Sequence, residues 1–227
     1  MKLKPSMLAV ALAAVCAVPA QADVLGVKAG MDLYFVSTNG ELQGDEAAWK
    51  DKNRISAYAA FEHFIPIVPN LMVRYNAMGT VGDGGASSGA DLDLTNTDFI
   101  FYYELLDNPG IELDLGVNYR LYSGEASRDG SWDSQDIDKG VFMGYARSRF
   151  NLVGTGLFAF ADVALTNYSD RKISDYQLGL GYGLGLFALD LNLRGGYRQH
   201  DFDVKNFNGI TADVSQDGWF LGAELAF

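Results

Sequence analysis

The two histidines are the residues of this sequence that first suggest chemistry. His200 is followed by Asp201 and Asp203, and a histidine beside a carboxylate can act as a general base. His63 lies in a segment that we place at the opposite end of a strand, so the two histidines cannot share a site. No serine motif accompanies them, and nothing supplies the paired aspartates that would complete a protease-like site with His200. We therefore predict no catalytic residue and no enzymatic activity.

The acidic segment RDGSWDSQDID offers oxygen ligands of the kind that calcium prefers. It contains Asp129, Asp133, Asp136 and Asp138, but their spacing is not that of an EF-hand, and no glycine lies at the required turn position. A solvated loop whose charges repel one another accounts for such a run. We predict no metal site and no cofactor. Divalent ions that bridge these carboxylates to lipopolysaccharide phosphates stay an open alternative.

Strands with alternating apolar and polar residues must position these groups. In VLGVKAGMDLYFVS, apolar residues occupy the odd positions from 25 to 35, while Lys28 and Asp32 occupy even positions. IELDLGVNYRL (111–121) and FALDLNLRGGYRQH (187–200) repeat this period of two. Weaker versions occupy 54–63, 71–81, 97–106, 140–150, 156–167, 175–184 and 211–227. The pattern predicts about ten strands, each with one apolar and one polar face.

The segments between the strands are alternately long and short. Long polar connections occupy 38–53, 82–91, 123–138, 168–175 and 201–210, and short ones occupy 64–70, 107–110, 151–156 and the neighbourhood of Gly185. Outer-membrane barrels have this asymmetry, with long loops outside the cell and short turns in the periplasm. We predict an all-β fold for residues 23–227, namely a closed antiparallel transmembrane β-barrel of up-and-down topology, with both termini in the periplasm.

Residues 1–22 have the composition of a signal peptide. Lys2 and Lys4 precede an apolar run that is too short to span a bilayer as a helix, and an Ala-Gln-Ala cleavage site follows it. The only cysteine, Cys16, lies in this leader. The rest of the chain carries 29 acidic residues against about 15 basic ones. Nucleic acid is therefore excluded as a partner, because phosphate binding needs a basic surface.

The polar faces of the strands carry charges of both signs in near balance. If these faces point inward, the charged groups either form a hydrogen-bonded ionic plug or line a narrow hydrophilic pore. We favour the plug, because buried charges tend to be paired. The predicted lumenal charge network consists of Lys28, Asp32, Arg54, Arg74, Asp98, Glu104, Glu112, Asp114, Arg120, Arg147, Arg149, Asp190, Arg194, Arg198 and Glu224.

Aromatic residues on the apolar faces gather at two depths, as expected at the two interfaces of a bilayer. The predicted girdles comprise Phe35, Phe61, Phe99, Tyr119, Tyr176, Phe187 and Tyr197. The segment GWFLGAELAF adds alternate apolar residues, and it resembles the final strand that the barrel-assembly machinery reads in outer-membrane proteins. This predicted insertion signal consists of Trp219, Leu221, Ala223, Leu225 and Phe227.

Three further segments support a narrower resemblance. EHFIPIVPN (62–70), DFIFYYELLDN (98–108) and LDLGVNYR (113–120) resemble segments of a family of small Gram-negative outer-membrane β-barrel proteins with little functional description. Phe64 stands where the family has a proline after the histidine. The resemblance implies a bacterial outer-membrane protein that is exported by means of its signal peptide. The matching segments indicate the arrangement of strands and turns and do not indicate a chemical activity.

Three functions follow from this fold. The first is a structural or surface-interaction role for a monomer whose partners are outer-membrane lipid, lipopolysaccharide and, during insertion, the assembly machinery. The alternative is a narrow channel for ions or small polar solutes, and a remote alternative is an omptin-like hydrolase at the rim. Alternation does not show which face is inside, so a soluble barrel with an apolar lumen stays open at this point.

Overall fold

The computed structural model describes residues 25–65, 67–83, 90–128, 132–187 and 189–227, so the predicted signal peptide lies outside the described residues. No helix in these ranges is long and apolar enough to cross a membrane. Thirteen strands are described: β1 (Leu25–Leu42), β2 (Asp45–Ala48), β3 (Lys52–His63), β4 (Asn70–Asn76), β5 (Gly79–Val81), β6 (Ala90–Asp93), β7 (Asn96–Asn108), β8 (Ile111–Arg128), β9 (Trp132–Asn151), β10 (Leu157–Asn167), β11 (Arg171–Leu186), β12 (Leu189–Phe207) and β13 (Ile210–Ala226).

The strands form one antiparallel sheet that closes on itself. Neighbours in sequence pair around the sheet, β8 pairs with β9, and β1 pairs with β13 over fifteen residues from Lys28↔Ala226 to Leu42↔Ala212. Val27 and Phe227 exchange backbone hydrogen bonds at the inner end of this seam. Ten strands form the wall, while β5 and β6 continue β4 and β7, and β2 forms a hairpin with β1. The predicted closed up-and-down barrel of about ten strands is confirmed.

The connections between strands differ in length at the two ends of the barrel. At the inner end, short turns connect β7 to β8 and β11 to β12. At the outer end, β8 and β9 stay paired from Ser123↔Asp138 to Arg128↔Trp132, and β12 stays paired with β13 as far as Phe207↔Ile210. Apart from the turn at 208–209, the described residues of the predicted loops 123–138 and 201–210 extend the hairpins as paired strands, so a loop conformation is wrong for them. Part of the predicted loop at 38–53 is likewise the hairpin of β1 and β2.

Apolar side chains cover the outside of the barrel wall. Met31 is 57% exposed and Leu180 69%, whereas the neighbouring Asp32 is 2% exposed. Along β1, the exposed residues occupy odd positions and the buried ones even positions from Met31 to Phe35. Soluble monomers rarely expose such a continuous apolar surface to water, whereas a barrel that spans a bilayer needs one in contact with the hydrocarbon. This arrangement contradicts the soluble alternative, in which the apolar faces would point inward.

The outer end of the barrel has an apolar interior. Its fully buried side chains include Leu92, Leu94, Tyr122, Ile137, Ile173, Phe202, Phe207 and Ile210. The ring of Tyr122 packs edge-on against Phe202 and Phe207, with centroid separations of 5.3 and 5.8 Å. The polar interior that the alternation predicts therefore does not extend to this end. The extended hairpins project beyond the lipid-facing band, so their interior packs like the core of a water-soluble protein.

Candidate functional site

The ionic lumen lies directly inside the apolar outer end, and its centre is Arg120 on β8. The side chain of Arg120 is fully buried and reaches the carboxylate of Asp98 with its Nε at 2.7 Å and that of Asp175 with Nη2 at 2.8 Å. Arg198 donates to the same Asp175 at 2.6 and 2.7 Å, and Asn118 donates to Asp98 at 2.8 Å. Residues from β7, β8, β11 and β12 thus form one network across the barrel.

A second layer of ion pairs lies below the Arg120 network. Arg194 on β12 donates twice to Asp32 on β1, at 3.0 and 2.6 Å. In the same layer, Arg74 on β4 donates to Asp162 on β10 at 2.8 Å. These two strands do not pair with each other, so this ion pair crosses the lumen. These charge-assisted bonds join partners that are almost fully removed from water.

The third layer is organised around the carboxylate of Glu224 on β13. It accepts hydrogen bonds from the Tyr58 hydroxyl, from Arg147 at 3.1 Å and from Asn192 at 3.1 Å. Beside it, Glu62 pairs with Lys28 at 2.8 Å and accepts a hydrogen bond from the Tyr102 hydroxyl, also at 2.8 Å. The buried charges of this layer are paired and hydrogen-bonded, as burial demands.

A vestibule of about 260 Å³ opens below the third layer at the inner end. Its lining includes seven residues of the predicted lumenal charge network, which are Lys28, Glu104, Glu112, Asp114, Arg149, Asp190 and Glu224. Glu112 lies 3.6 Å from Arg149, while Glu104 and Asp190 are exposed. Carboxylates outnumber basic groups in this lining. The charge balance predicted for the whole lumen is therefore uneven along its axis, and the inner mouth is acidic.

The structure brings most of the predicted charge network together and adds members that the predicted set lacks. Asp175, His200, Asn118, Tyr58 and Tyr102 take part in it. Asp175 falls in a segment that the sequence predicts as the end of a loop, although it lies two residues before the lumenal Gln177. Extending the period of two by one step would have identified it. Arg54 lies in the lumen without an ion pair to any described residue.

His200 is inside the barrel rather than at the rim. It is completely buried, and its Nδ1 lies 3.3 Å from Nη1 of Arg120. The Asp201 carboxylate accepts hydrogen bonds from Ser174, Gln199 and Ser215. This arrangement gives His200 no access to a substrate at the surface. His63 lies at the inner end, where its Nδ1 accepts a hydrogen bond from the backbone N–H of Ile65 at 3.2 Å.

The outer hairpins carry exposed carboxylates. Asp136 and Asp138 lie exposed on β9, whereas Asp129 and the side chain of Asp133 lie outside what the structure describes. On β6, the pKa of the Asp91 carboxyl is raised, mainly by burial and further by repulsion from the carboxylates of Asp93 and Glu125. Within the described ranges, no cluster of three or more acidic, histidine or cysteine side chains has the geometry to hold a metal ion.

The predicted girdle residues lie on the outside of the barrel at two heights. Phe35 and Trp219 are register partners on β1 and β13, and the Trp219 ring packs edge-on against Tyr197 at 5.4 Å. Tyr119 packs against Phe142 at 4.8 Å, while Phe99 and Tyr176 are partly exposed. At the inner end, Phe61 is 44% exposed and Phe187 is fully exposed. Leu221 shares the outward face of β13 with Trp219, whereas Ala223, Leu225 and Phe227 are only partly exposed.

Comparison with known proteins identifies the fold. No protein-family model matches the chain, and no curated protein is significantly similar to it in sequence. The β-domain of the Bordetella autotransporter BrkA is 13% identical, with a TM-score of 0.50 over 90% of this chain and 99% of that one. An outer-membrane channel from Pseudomonas putida F1 (9% identity, 99% of both chains) and neisserial surface protein A (12%, 89% and 97%) have TM-scores of 0.43 and 0.39. The likeness to the BrkA β-domain shows that the chain has the fold of a Gram-negative outer-membrane β-barrel, and its apolar exterior is the surface that such a barrel presents to lipid.

Proposed function

We propose that this protein is a non-conducting, monomeric barrel with a structural or surface-interaction role in the outer membrane. The observation that supports this most strongly is the filled lumen. Arg120 is fully buried at the centre of a network that joins β7, β8, β11 and β12, and two further layers of ion pairs lie below it. A permeating ion would have to break several charge-assisted bonds between side chains that are almost fully buried.

The apolar outer end supports the same proposal. Tyr122, Phe202 and Phe207 pack together in the interior above the ionic network, and each is fully buried. An ion on its way into the lumen from outside would first meet this apolar core, where it loses hydration without gaining polar contacts. In this proposal the apolar core and the ionic network below it both close the lumen.

The extended hairpins are the part of the barrel that suits contact with other molecules. They project the exposed carboxylates of Glu41, Asp136, Asp138 and Asp213 from regular β-structure. Side chains held by paired strands lose little further entropy when they bind. We propose that these hairpins bind cationic surface partners or lipopolysaccharide through divalent ions, and that the assembly machinery recognises the outward residues of β13. Nucleic acid and catalysis have no place in this proposal.

A narrow channel is the second candidate, and the inner vestibule is the observation that favours it. The inner end holds an open cavity of about 260 Å³ whose lining is rich in carboxylates. If the layers above it opened, an acidic mouth of this kind would concentrate cations and give a cation-selective current.

Conductance of refolded protein in planar lipid bilayers separates the two candidates. We expect no steady current in concentrated potassium chloride under conditions in which a general porin, used as the control, conducts. Leakage should appear in a Tyr122→Ala, Phe207→Ala, Arg120→Ala triple variant that still refolds, because it removes parts of both seals. A stable open state of the unmodified protein would contradict the proposed closed lumen, and cation selectivity of that state would support the channel.

A further inference from the structure

Arg54 on β3 is the exception among the lumenal arginines. It is only 5% exposed, yet its Nε, Nη1 and Nη2 atoms have no hydrogen-bond partner among the described residues. By contrast, Arg74, Arg120 and Arg198 each bind a carboxylate within 2.8 Å. A buried guanidinium without a partner destabilises the folded protein, so a site of this kind normally contains an ion or water.

A small cavity lies against this free guanidinium. Its volume is about 20 Å³, and its lining includes Arg54, Tyr34, His200 and Gln216. The space accommodates about one water-sized particle, because a single water needs roughly 10–15 Å³ by the same measure. An organic acid or a phosphate is too large. The occupant is therefore a water molecule or a monatomic ion.

His200 adds a second donor to the cavity. Arginine can only donate hydrogen bonds, so Nη1 of Arg120 at 3.3 Å requires Nδ1 of His200 to be the acceptor. The imidazole proton then lies on Nε2, an atom that is buried and has no partner in the described part of the chain. Arg54 and His200 thus both line one small cavity, and both carry buried N–H groups without a partner among the described residues.

The carboxylates near this space do not neutralise Arg54. Asp93 attracts the Arg54 guanidinium electrostatically but forms no ion pair with it. The Asp217 carboxylate lies on the exterior face and accepts a hydrogen bond from the Tyr197 hydroxyl. Arg198, which also lines the cavity, is bound to Asp175. Gln216 contributes one acceptor, Oε1, while its Nε2 donates to the backbone oxygen of Met78. A positive charge with several free donors therefore faces the cavity.

We propose that Arg54 and the Nε2–H group of His200 form a binding site for one monatomic anion of the chloride class. The anion neutralises the outer end of the ionic lumen and completes the hydrogen bonding of both donors. It lies directly below the apolar core, so it contributes to the seal as a structural ion. Folding of the barrel is thereby coupled to halide binding.

Bromide provides the direct test, because it replaces chloride and scatters anomalously. Crystals of the refolded full chain, grown or soaked in sodium bromide, should show an anomalous peak within hydrogen-bond distance of both the Arg54 guanidinium and His200 Nε2. Arg54→Gln crystals treated in the same way should lack this peak. A water molecule without anomalous signal at the site, or Arg54 turned to pair with Asp93, would overturn the proposal.

A solution measurement tests the coupling to stability. At constant ionic strength, the apparent melting temperature in sodium chloride should exceed that in sodium gluconate, whose anion is too large for the cavity, by about 5 °C. Arg54→Gln should abolish this difference. Arg149→Gln, which removes an arginine from the inner vestibule, should retain it. Equal melting temperatures of the unmodified protein in the two salts would contradict a specific anion site.

Discussion

Replacement of Arg120 by methionine is expected to destabilise the folded barrel by about 3–5 kcal/mol. Arg120 is fully buried and binds both Asp98 and Asp175. Methionine fills a similar volume but leaves one carboxylate without its arginine and the other with only Arg198. An uncompensated buried charge accounts for a loss of this size. The free energy of unfolding, measured by urea titration of protein refolded in lipid vesicles, checks the prediction.

Arg149→Met is the matched control for this experiment. Its guanidinium lines the open inner vestibule, 3.6 Å from Glu112, where solvent can reach the carboxylate that the substitution leaves behind. We expect a loss of at most about 1 kcal/mol. Equal losses for the two variants would mean that the Arg120 network is hydrated, which would contradict the filled lumen.

Replacement of Met31 by arginine is expected to cost about 2–4 kcal/mol when the barrel is folded in lipid. Met31 points outward and is 57% exposed, in the row directly below Leu33 and Leu221. A guanidinium at this depth must leave water for hydrocarbon or reach toward the headgroups, and both carry a cost. Urea titration in vesicles measures the change, and slower insertion from the unfolded state should accompany it.

Asn39→Arg places the same side chain on the same strand beyond the lipid-facing band. Asn39 is exposed and pairs in register with Ser215, in the outer extension of β1 and β13. We expect a change within about 0.5 kcal/mol, as for ordinary surface substitutions. If Met31→Arg were as harmless as Asn39→Arg in vesicles, the apolar exterior would not face lipid.

Alternation along the strands divides each strand into two faces, and the structure shows which face is inside. Every second residue points to the same side of a strand, so one outward Met31 fixes Lys28 and Asp32 as lumenal. The same parity, followed along β8 and β12, places Arg120 and Arg194 inside. The alternation of short and long connections also orders the hairpins correctly, because an up-and-down barrel permits only neighbouring strands to pair.

Pairing across the lumen could not be predicted from the sequence. Arg74 and Asp162 are 88 residues apart and lie on strands that do not pair, so their contact depends on the diameter and stagger of the closed barrel. Period alone likewise does not indicate where the membrane ends. Glu125, Asp136 and Asp138 suggest an acidic loop because polar charged residues favour exposed segments, although all three lie exposed on the paired strands β8 and β9, which bury Ile137.

The central claim is that the apolar faces of the strands contact lipid while the charged faces meet inside. Spin labels on Val117→Cys and Glu125→Cys test it most directly, since both residues point outward from β8, at the depth of the apolar wall and on the outer hairpin respectively. In vesicles, the label at 117 should be relaxed strongly by oxygen and weakly by a water-soluble nickel chelate, and the label at 125 should show the reverse. Strong relaxation of the label at 117 by the nickel chelate would contradict the account.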